Sequence, residues 1–370
     1  MSKKIISFYL PQYHPTEENN KWWGNGFTEW TNVSSAKPQY NGHYQPHIPA
    51  DMGFYDLRVG ETKQQQADLA KEYGIEGFCY YHYWFNGKRI LNRPLDDILK
   101  TKEPNFPFAL CWANENWTRA WDGQDREVLM QQNYSTEDNK EHIDFLCSIF
   151  SDKRYIKIND KPLLLIYRPD NIPNISEMIK LWRRTAQSKG FTDLYICGAQ
   201  SGLVQFTDEE IISLGFDAVV DFQPNRDDFP TSKSSKNILQ ESLRSLLPNT
   251  IYQWLKTNVT TYKKIDYKDF VEQKIQKKWS DTFTKYPVVF PSWDNTARRA
   301  SPTIIENHDA SIYKKWLQKS LNNVENYEKH EQIVFVNAWN EWAEGCHLEP
   351  DKKHGHIFLE ATKEALDESN

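Results

Sequence analysis

"KEYGIEGFCYYHYW", residues 71–84, decides the fold. A segment of helical character, 61–73, runs into Gly74, and the β-branched and aromatic run that follows reads as a strand over 75–84. Glycine tolerates the left-handed backbone on which helices often end, so Gly74 marks a helix stop with a short turn straight into the strand. The same punctuation returns at Gly190 in "QSKGFTDL" and Gly215 in "ISLGFDAV". A chain that repeatedly stops a helix on glycine and enters a strand is alternating the two.

Working outward, seven more runs read as strands: "IISFYL" (5–10), "FPFALCWAN" (106–114), "PLLLIYR" (162–168), "LYICGA" (194–199), "FDAVVDF" (216–222), "YPVVFPSW" (286–293) and "IVFVNAW" (333–339). Most are continuously apolar, which indicates a sheet covered on both faces. Helical segments over 136–150, 176–189, 268–284 and 309–328 lie between them. Eight βα units imply a parallel sheet with right-handed crossovers, and 370 residues suit a (β/α)8 TIM barrel with long loops at its C-terminal face. We expect one domain over 1–370 with an insertion at about 223–267. A doubly wound sheet would open on a glycine-rich turn after its first strand, where "FYLPQYHP" stands instead.

Composition narrows the partners. A net charge of -6 with no basic stripe points away from nucleic acid and anionic membranes. The N-terminus "MSKKIISFYLPQYHP" has too short an apolar run for a secretory signal, and no run approaches the ~20 apolar residues of a membrane span, so a cytoplasmic setting is expected. The five cysteines form no CxxC pair and read as free, buried thiols. Tryptophan is abundant, 14 residues, and ten of them, Trp121 included, sit at strand ends or in the loops that follow.

In such a barrel the active site is built at the C-terminal ends of the strands. Those ends carry Tyr9, Gln12, Tyr13 and His14; His82, Tyr83 and Trp84; Trp112, Asn114, Glu115 and Asn116; Arg168; Gln200; Asp221 and Gln223; Trp293, Asp294 and Asn295; Asn337, Trp339, Asn340, Glu341 and Glu344, with Trp23 and Trp30 in the first long loop. Indole faces interleaved with amides and carboxylates match a neutral polyhydroxylated ring, whose C–H faces stack while its hydroxyls take directed hydrogen bonds. Phosphate binding would call for glycine-rich turns and clustered cations instead. An oligosaccharide or polysaccharide is therefore the expected partner, with no cofactor and no metal.

Glycosidic bond cleavage needs two carboxyl groups, one to protonate the leaving oxygen and one to attack or activate an attacker. "VNAWNEWAEG" (336–345) supplies Glu341 and Glu344, which share a face if the chain turns helically after the last strand. Closely placed like charges should also raise one pKa. The alternative is that both glutamates cap the next helix or pair with Arg298 and Arg299. Glu115 in "CWANENW" is a further candidate for the second carboxylate, and Glu29 in "GFTEWTN" a weaker one. His43 and His47 in "HYQPH", and His354 and His356 in "HGH", lack a nearby completing ligand and read as turn or substrate contacts rather than zinc ligands.

Over nearly its whole length the chain resembles the WbsX-like proteins of bacterial polysaccharide gene clusters, often labelled glycosyltransferases. The stretches that carry the resemblance are "FYLPQYHP", "WWGNGFTEWTNV", "GHYQPHIPADMGFYDLR", "YGIEGFCYYHYWFNGKR", "CWANENWTRAWDG", "PSWDNTARR" and "NAWNEWAEGCHLEPD". Through "NEW-x-EG" it is also similar to glycoside hydrolase family 99, retaining endo-acting α-mannosidases on a (β/α)8 barrel. That resemblance implies a substrate-assisted mechanism in which Glu341 is base toward the sugar's own 2-hydroxyl and Glu344 is acid and base at the leaving oxygen. Three readings follow: a retaining glycoside hydrolase or transglycosylase on a bacterial surface or capsular polysaccharide, a glycosyltransferase in O-antigen or capsule synthesis, or a non-catalytic sugar-binding barrel. No DxD metal motif of the kind many nucleotide-sugar enzymes use occurs in the 370 residues.

Overall fold

The computed structural model describes residues 3–119, 124–230 and 262–370. Eight strands form its centre: β1 (Lys4–Tyr9), β2 (Ile75–Phe85), β3 (Phe108–Trp112), β4 (Lys161–Ile166), β5 (Tyr195–Gln200), β6 (Ala218–Asp221), β7 (Lys285–Val289) and β8 (Ile333–Val336). Neighbours in sequence are neighbours in space, and β8 pairs in parallel with β1 through Ile5 opposite Val334 and Ser7 opposite Val336. With β1 also paired to β2, the sheet closes on itself. Helices Gly60–Glu72, Arg93–Thr101, Thr136–Phe150, Ile175–Ser188, Asp208–Ser213, Tyr267–Gln276, Ala310–Asn323 and Ile357–Asp367 follow the strands in turn. The fold is a (β/α)8 TIM barrel.

Gly74, Gly190 and Gly215 each stand two residues past the last residue of a helix with φ of 80°, 92° and 103°, where a side chain would be strained. Their N–H groups donate to the carbonyls of Lys71, Gln187 and Ile212, which closes each helix before its turn into the next strand. The helices Arg93–Thr101, Asp208–Ser213 and Ile357–Asp367 were not among the expected segments. Asp208–Ser213 is too short to show an apolar period, whereas Arg93–Thr101 buries Pro94, Leu95 and Ile98 on one face.

Each strand divides its side chains between two cores by the two-residue period of extended chain. Inside the barrel lie Ile6 and Phe8, Cys79, Ala109 and Cys111, Leu163 and Leu165, Cys197, Val220, Val288 and Phe335. Toward the helices lie Ile5 and Tyr9, Phe78 and Tyr80, Leu110, Leu164, Val219, Val289 and Val334. Cys79, Cys111 and Cys197 act as small apolar fillers of the interior, and burial pushes their thiols up. All five cysteines are free and buried.

The loop after β1 carries two short helices, Glu17–Trp23 and Glu29–Ser35, the first capped by Thr16 Oγ1 accepting from the Asn19 N–H at 3.1 Å. Most of the expected insertion, 231–261, and Trp121 lie outside the described residues. Among the described residues no helix is long and apolar enough to cross a membrane.

Candidate active site

Beyond β8 the chain forms a small hairpin, Asn340–Glu341 against Cys346–His347, closed by a 3-10 turn over Trp342–Glu344. Gly345 ends the turn at φ 56°, and a Cβ there would lie 2.9 Å from both the nitrogen and the carbonyl oxygen of Asp294. Only glycine allows this approach of the β8 and β7 loops, which Ser292 fastens by donating to the Gly345 carbonyl at 2.6 Å. The Asn340 amide spans to the first loop, accepting from the Leu10 N–H at 2.7 Å and donating to the Leu10 carbonyl at 3.0 Å. The Tyr13 hydroxyl donates to the Asn340 carbonyl and accepts from the Trp342 N–H. Glu341 is thus held from both sides of the chain.

One guanidinium organises the carboxylates. Arg298 Nη2 donates to Glu29 Oε1 at 2.6 Å and to Glu341 Oε2 at 3.1 Å, while Nη1 lies 3.0 Å from Glu344 Oε1. Pairing with Arg298 was the alternative to a functional role for the two glutamates. The structure shows that pairing, and it also places Glu341 and Glu344 in the wall of a cavity of about 320 Å³. Three carboxylates around one cation leave a surplus of negative charge. Burial pushes the Glu341 carboxyl up to about 8, Arg298 opposes the rise, and Glu344 and Glu29 add to it. Glu29, fully buried, is raised for the same first reason against the same opposing cation. Near neutrality Glu341 therefore holds a proton.

The cavity sits at the C-terminal mouth of the barrel, and its lining follows the interior parity of each strand. Leu10 and Gln12 continue β1; Tyr81 and Tyr83 belong to β2; Ala113 and Glu115 continue β3; Tyr167, Ser201 and Phe222 continue β4, β5 and β6. Trp117, Trp293 and Phe229 add aromatic surface, and Trp117 packs between Tyr83 at 5.2 Å and Trp22 at 6.0 Å. Among the described residues Gln12 Nε2 and Ser201 Oγ are buried without a hydrogen-bond partner, which leaves both for a ligand hydroxyl. Glu115 is held by Arg168 at 2.7 Å.

Of the expected site residues, Glu341, Glu344, Glu115 and Trp293 line this cavity, with Gln12, Tyr83, Asn116 and Asn295 from the same strand ends. The others do not. Tyr9 donates to Gln66 at 2.7 Å in the helix-facing core, and Trp112 packs there on Trp182. His82 shares a 3.0 Å hydrogen bond with His142, and the Trp84 indole donates to Asp138 at 2.8 Å. Gln200 donates to the Phe206 carbonyl, and Asp221 lies 2.8 Å from Lys274. These six stand on the outward parity of their strands, which accounts for the discrepancy.

His14 is buried, and desolvation lowers it to about 4. Trp23 packs on Phe27, and Trp30 donates to the Tyr55 carbonyl at 2.7 Å with its ring against Trp342. Trp339 is fully enclosed beside Phe78. Asn114 bonds the Arg168 backbone in both directions at 2.7 Å, Asn337 donates to the Gln223 carbonyl at 2.9 Å, and Asp294 accepts from Gln45 at 2.7 Å and lies 2.6 Å from His43. Asn114, Arg168, Asp294, Asn337 and Asn340 thus support the cavity wall from behind.

The residues that the strand-end reading missed are Arg298, Tyr81, Tyr167, Ser201, Phe222 and Trp117. Interior parity would have found four of them, and Arg298 was visible only as a possible partner.

His47, His347 and Asp351 place three potential ligand atoms within 4.8 Å of one another. His47 Nδ1 and His347 Nε2 are 2.9 Å apart with ring centroids at 5.2 Å, so the two nitrogens point straight at each other. His347 Nδ1 faces the Glu349 carbonyl at 2.8 Å, which makes it the N–H and leaves Nε2 to accept from His47. This is a neutral N–H···N pair, which joins the 40–50 loop to the chain after the hairpin. Burial lowers both imidazoles and keeps them uncharged.

A family model described as Glycosyltransferase WbsX matches residues 5–362. Two curated proteins, both "Uncharacterized protein WxcX" from strains of Xanthomonas campestris pv. campestris, are 37% identical over 364 residues, covering 98% of this chain and 49% of their own length. The chain spans about half the length of the curated relatives it matches. Among solved structures, the GH99 endo-alpha-mannosidase from Bacteroides thetaiotaomicron aligns over 99% of this chain and 97% of its own at TM-score 0.60 and 13% identity. One called "Glycoside hydrolase-like protein" aligns over 99% and 94% at TM-score 0.62 and 13% identity. Both share the barrel.

Proposed function

The chain belongs to the glycosyltransferase WbsX family, and from that premise we propose that it is a carbohydrate-active enzyme that cleaves glycosidic bonds with retention, using Glu341 and Glu344 on a bacterial surface or capsular polysaccharide. The observation that carries the reading is the pair itself: two glutamates three residues apart, bridged by Arg298, in the wall of an aromatic and hydroxyl-lined cavity at the barrel mouth. In the substrate-assisted form, Glu341 takes the proton of the sugar's 2-hydroxyl as that oxygen attacks the anomeric carbon. The glycosidic bond breaks, and Glu344 gives its proton to the leaving oxygen. Water or an acceptor hydroxyl then opens the three-membered ring, losing its proton to Glu344 while Glu341 returns one to the 2-oxygen. Water gives hydrolysis and a sugar hydroxyl gives transfer.

Burial keeps a proton on Glu341 up to about pH 8 in the empty protein, and the proposed roles require that proton to pass to Glu344 once the substrate is bound. The Arg298 contact at 3.1 Å stabilises the anion once it forms. Trp117 and Trp293 supply the stacking faces, and Gln12 and Ser201 the unpaired polar atoms, that a pyranose requires.

The test is a screen of bacterial polysaccharides with product anomer followed by NMR, on the wild type and on Glu341→Gln and Glu344→Gln. Each substitution should lower kcat/KM by ~10³ or more with sugar binding retained, whereas losses within about tenfold, under ~1.4 kcal/mol of barrier, would refute the assignment. A transferase that uses an activated donor would instead show a nucleotide sugar raising the melting temperature.

A further inference from the structure

Among the described residues, two cations at one wall of the cavity have no carboxylate partner, Arg226 in its lining and Lys263 behind it. Arg226 lines the cavity together with Ser201, Gly202, Pro224 and Phe229, all from the loops after β5 and β6. The Lys263 ammonium lies 4.5 Å over the Phe229 ring, and Lys263 pairs in register with Thr303, which also lines the cavity. Among the described residues neither cation has a carboxylate partner, although the chain carries 51 acidic residues against 45 basic ones. Three of the neighbouring acids are engaged elsewhere, Asp228 with Lys274 and Lys277, Asp170 with Arg168 and Glu306 with Lys264, while the exposed Asp227 beside Arg226 forms no ion pair among the described residues. Burial and the nearby Arg226 both lower the Lys263 ammonium, as expected where positive charge is left uncompensated.

The placement is built rather than incidental. A Cβ on Gly202 would fall 2.5 Å from Asn225 Oδ1 and 3.0 Å from the Arg226 nitrogen, so the two loops touch backbone to backbone. Asn225 Oδ1 accepts from the Asp227 N–H at 2.9 Å and fixes the turn that presents Arg226. Beside it Ser201 is 5% exposed and its Oγ is buried with no partner among the described residues. A hydroxyl donor next to a guanidinium is the donor set that an anionic oxygen group takes up.

We propose that this wall, Arg226 with Ser201 and the charge of Lys263 behind Phe229, is a subsite for an anionic substituent of the glycan, a carboxylate or phosphate carried by a sugar next to the one at Glu341 and Glu344. The proposal rests on the carbohydrate reading of the cavity and narrows it from neutral to acidic polysaccharide. The sugar's ring stacks on the aromatic surface, its anionic group meets Arg226, and the surplus carboxylates around Arg298 stay on the opposite side of the reacting bond from that group. An acidic sugar placed at Arg298 instead would meet three carboxylates.

The test is binding by isothermal titration calorimetry of three probes that share one backbone: a hexuronate-containing oligosaccharide, its carboxyl-reduced neutral counterpart, and a sugar phosphate monoester of the same length. The wild type should bind an anionic probe about tenfold more tightly than the neutral one (~1.4 kcal/mol), and that ratio should shrink as salt rises. Arg226→Gln should bring the ratio near one, and Arg226→Glu should invert it. Ser201→Ala, a second variant that leaves the charge in place, should lower the ratio only partly. Which anionic probe binds best separates carboxylate from phosphate. A neutral probe that binds the wild type as well as both anionic ones, or a ratio that survives Arg226→Gln, overturns the subsite while leaving the carbohydrate reading intact. Binding of none of the three overturns both.

Discussion

Replacing Glu341 by Gln should make the protein relatively more stable as the pH rises, and the size follows from where the carboxyl sits. In the folded protein its pKa moves from 4.5 to about 8, because burial and the carboxylates of Glu344 and Glu29 outweigh the opposing Arg298. A group that holds its proton more tightly when folded contributes stability that is complete below pH 4.5 and lost as the pH climbs through 8. At ~1.4 kcal/mol per pH unit the whole span is worth roughly 5 kcal/mol, and roughly 4 of it falls between pH 5 and 9. Glutamine titrates nowhere in that range and still offers an oxygen to Arg298. The difference in unfolding free energy between the two proteins should therefore change by roughly 3–5 kcal/mol in favour of Glu341→Gln from pH 5 to pH 9. Urea midpoints at fixed ionic strength measure it, and Glu349, also pushed up to about 7, cancels because both proteins carry it. A difference constant within ~1 kcal/mol would mean that Glu341 is ionised throughout, and the proton inventory of the site would be wrong.

With a substrate in hand, the wild-type kcat/KM should fall as the pH increases through about 8, where the Glu341–Glu344 pair loses the proton that the leaving oxygen needs, and a rise there would refute the assignment of an acid to this pair. Gly345→Ala should destabilise by roughly 1–3 kcal/mol, measured by thermal unfolding, because the residue has φ 56° and its new methyl would press on Asp294; an unchanged melting temperature would refute the contact. Stability should also fall in acid. Burial lowers His14 and His308 from 6.5 to about 4, so the folded state takes up their protons later than the unfolded chain, and each stabilisation of roughly 3 kcal/mol is present above pH 6.5 and lost toward pH 4. His14→Asn should flatten that limb by ~1.4 kcal/mol per pH unit, and an equal slope in both proteins would show His14 to be solvated.

The barrel was legible because its signals are local. Glycine stops, continuous apolar runs and their alternation with amphipathic segments require no knowledge of distant contacts, and β1, β2 and β5 begin and end within one residue of where the sequence places them. The six-residue helix Asp208–Ser213 was not legible, since fewer than two turns do not establish a period of 3.6, whereas the apolar face of Arg93–Thr101 at Pro94, Leu95 and Ile98 was present in the sequence and passed over. The runs 106–114 and 286–293 were overestimated for the opposite reason: their apolar residues continue beyond the sheet into loops that are themselves buried, as at Phe290 and Ser292.

The site was legible by position and not by side. Reading the C-terminal ends of the strands found Glu341, Glu344, Glu115 and Trp293, yet the same reading collected Tyr9, His82, Trp84, Trp112, Gln200 and Asp221, which face the helices. An extended chain turns its side chains over at every residue, so an error of one position exchanges the mouth of the barrel for its outer layer. Parity was present in the sequence all the same. Ile6 and Phe8 lead to Leu10 and Gln12, Cys79 to Tyr81 and Tyr83, Cys111 to Ala113 and Glu115, Cys197 and Ala199 to Ser201. In three of the strands the interior is marked by a cysteine, the small side chain that a crowded barrel centre accepts. Counting by twos from those cysteines reaches Tyr81, Tyr83, Ala113, Glu115 and Ser201 on the cavity wall, whereas most of the tryptophans at the strand ends lie in the packing behind it. Tryptophan abundance, the most conspicuous feature of the composition, thus reports chiefly how the long loops are anchored. The proposed chemistry rests on Glu341 and Glu344, which follow a strand whose interior is marked by Ile333 and Phe335 rather than by a small residue, and on one arginine whose role no local pattern announces.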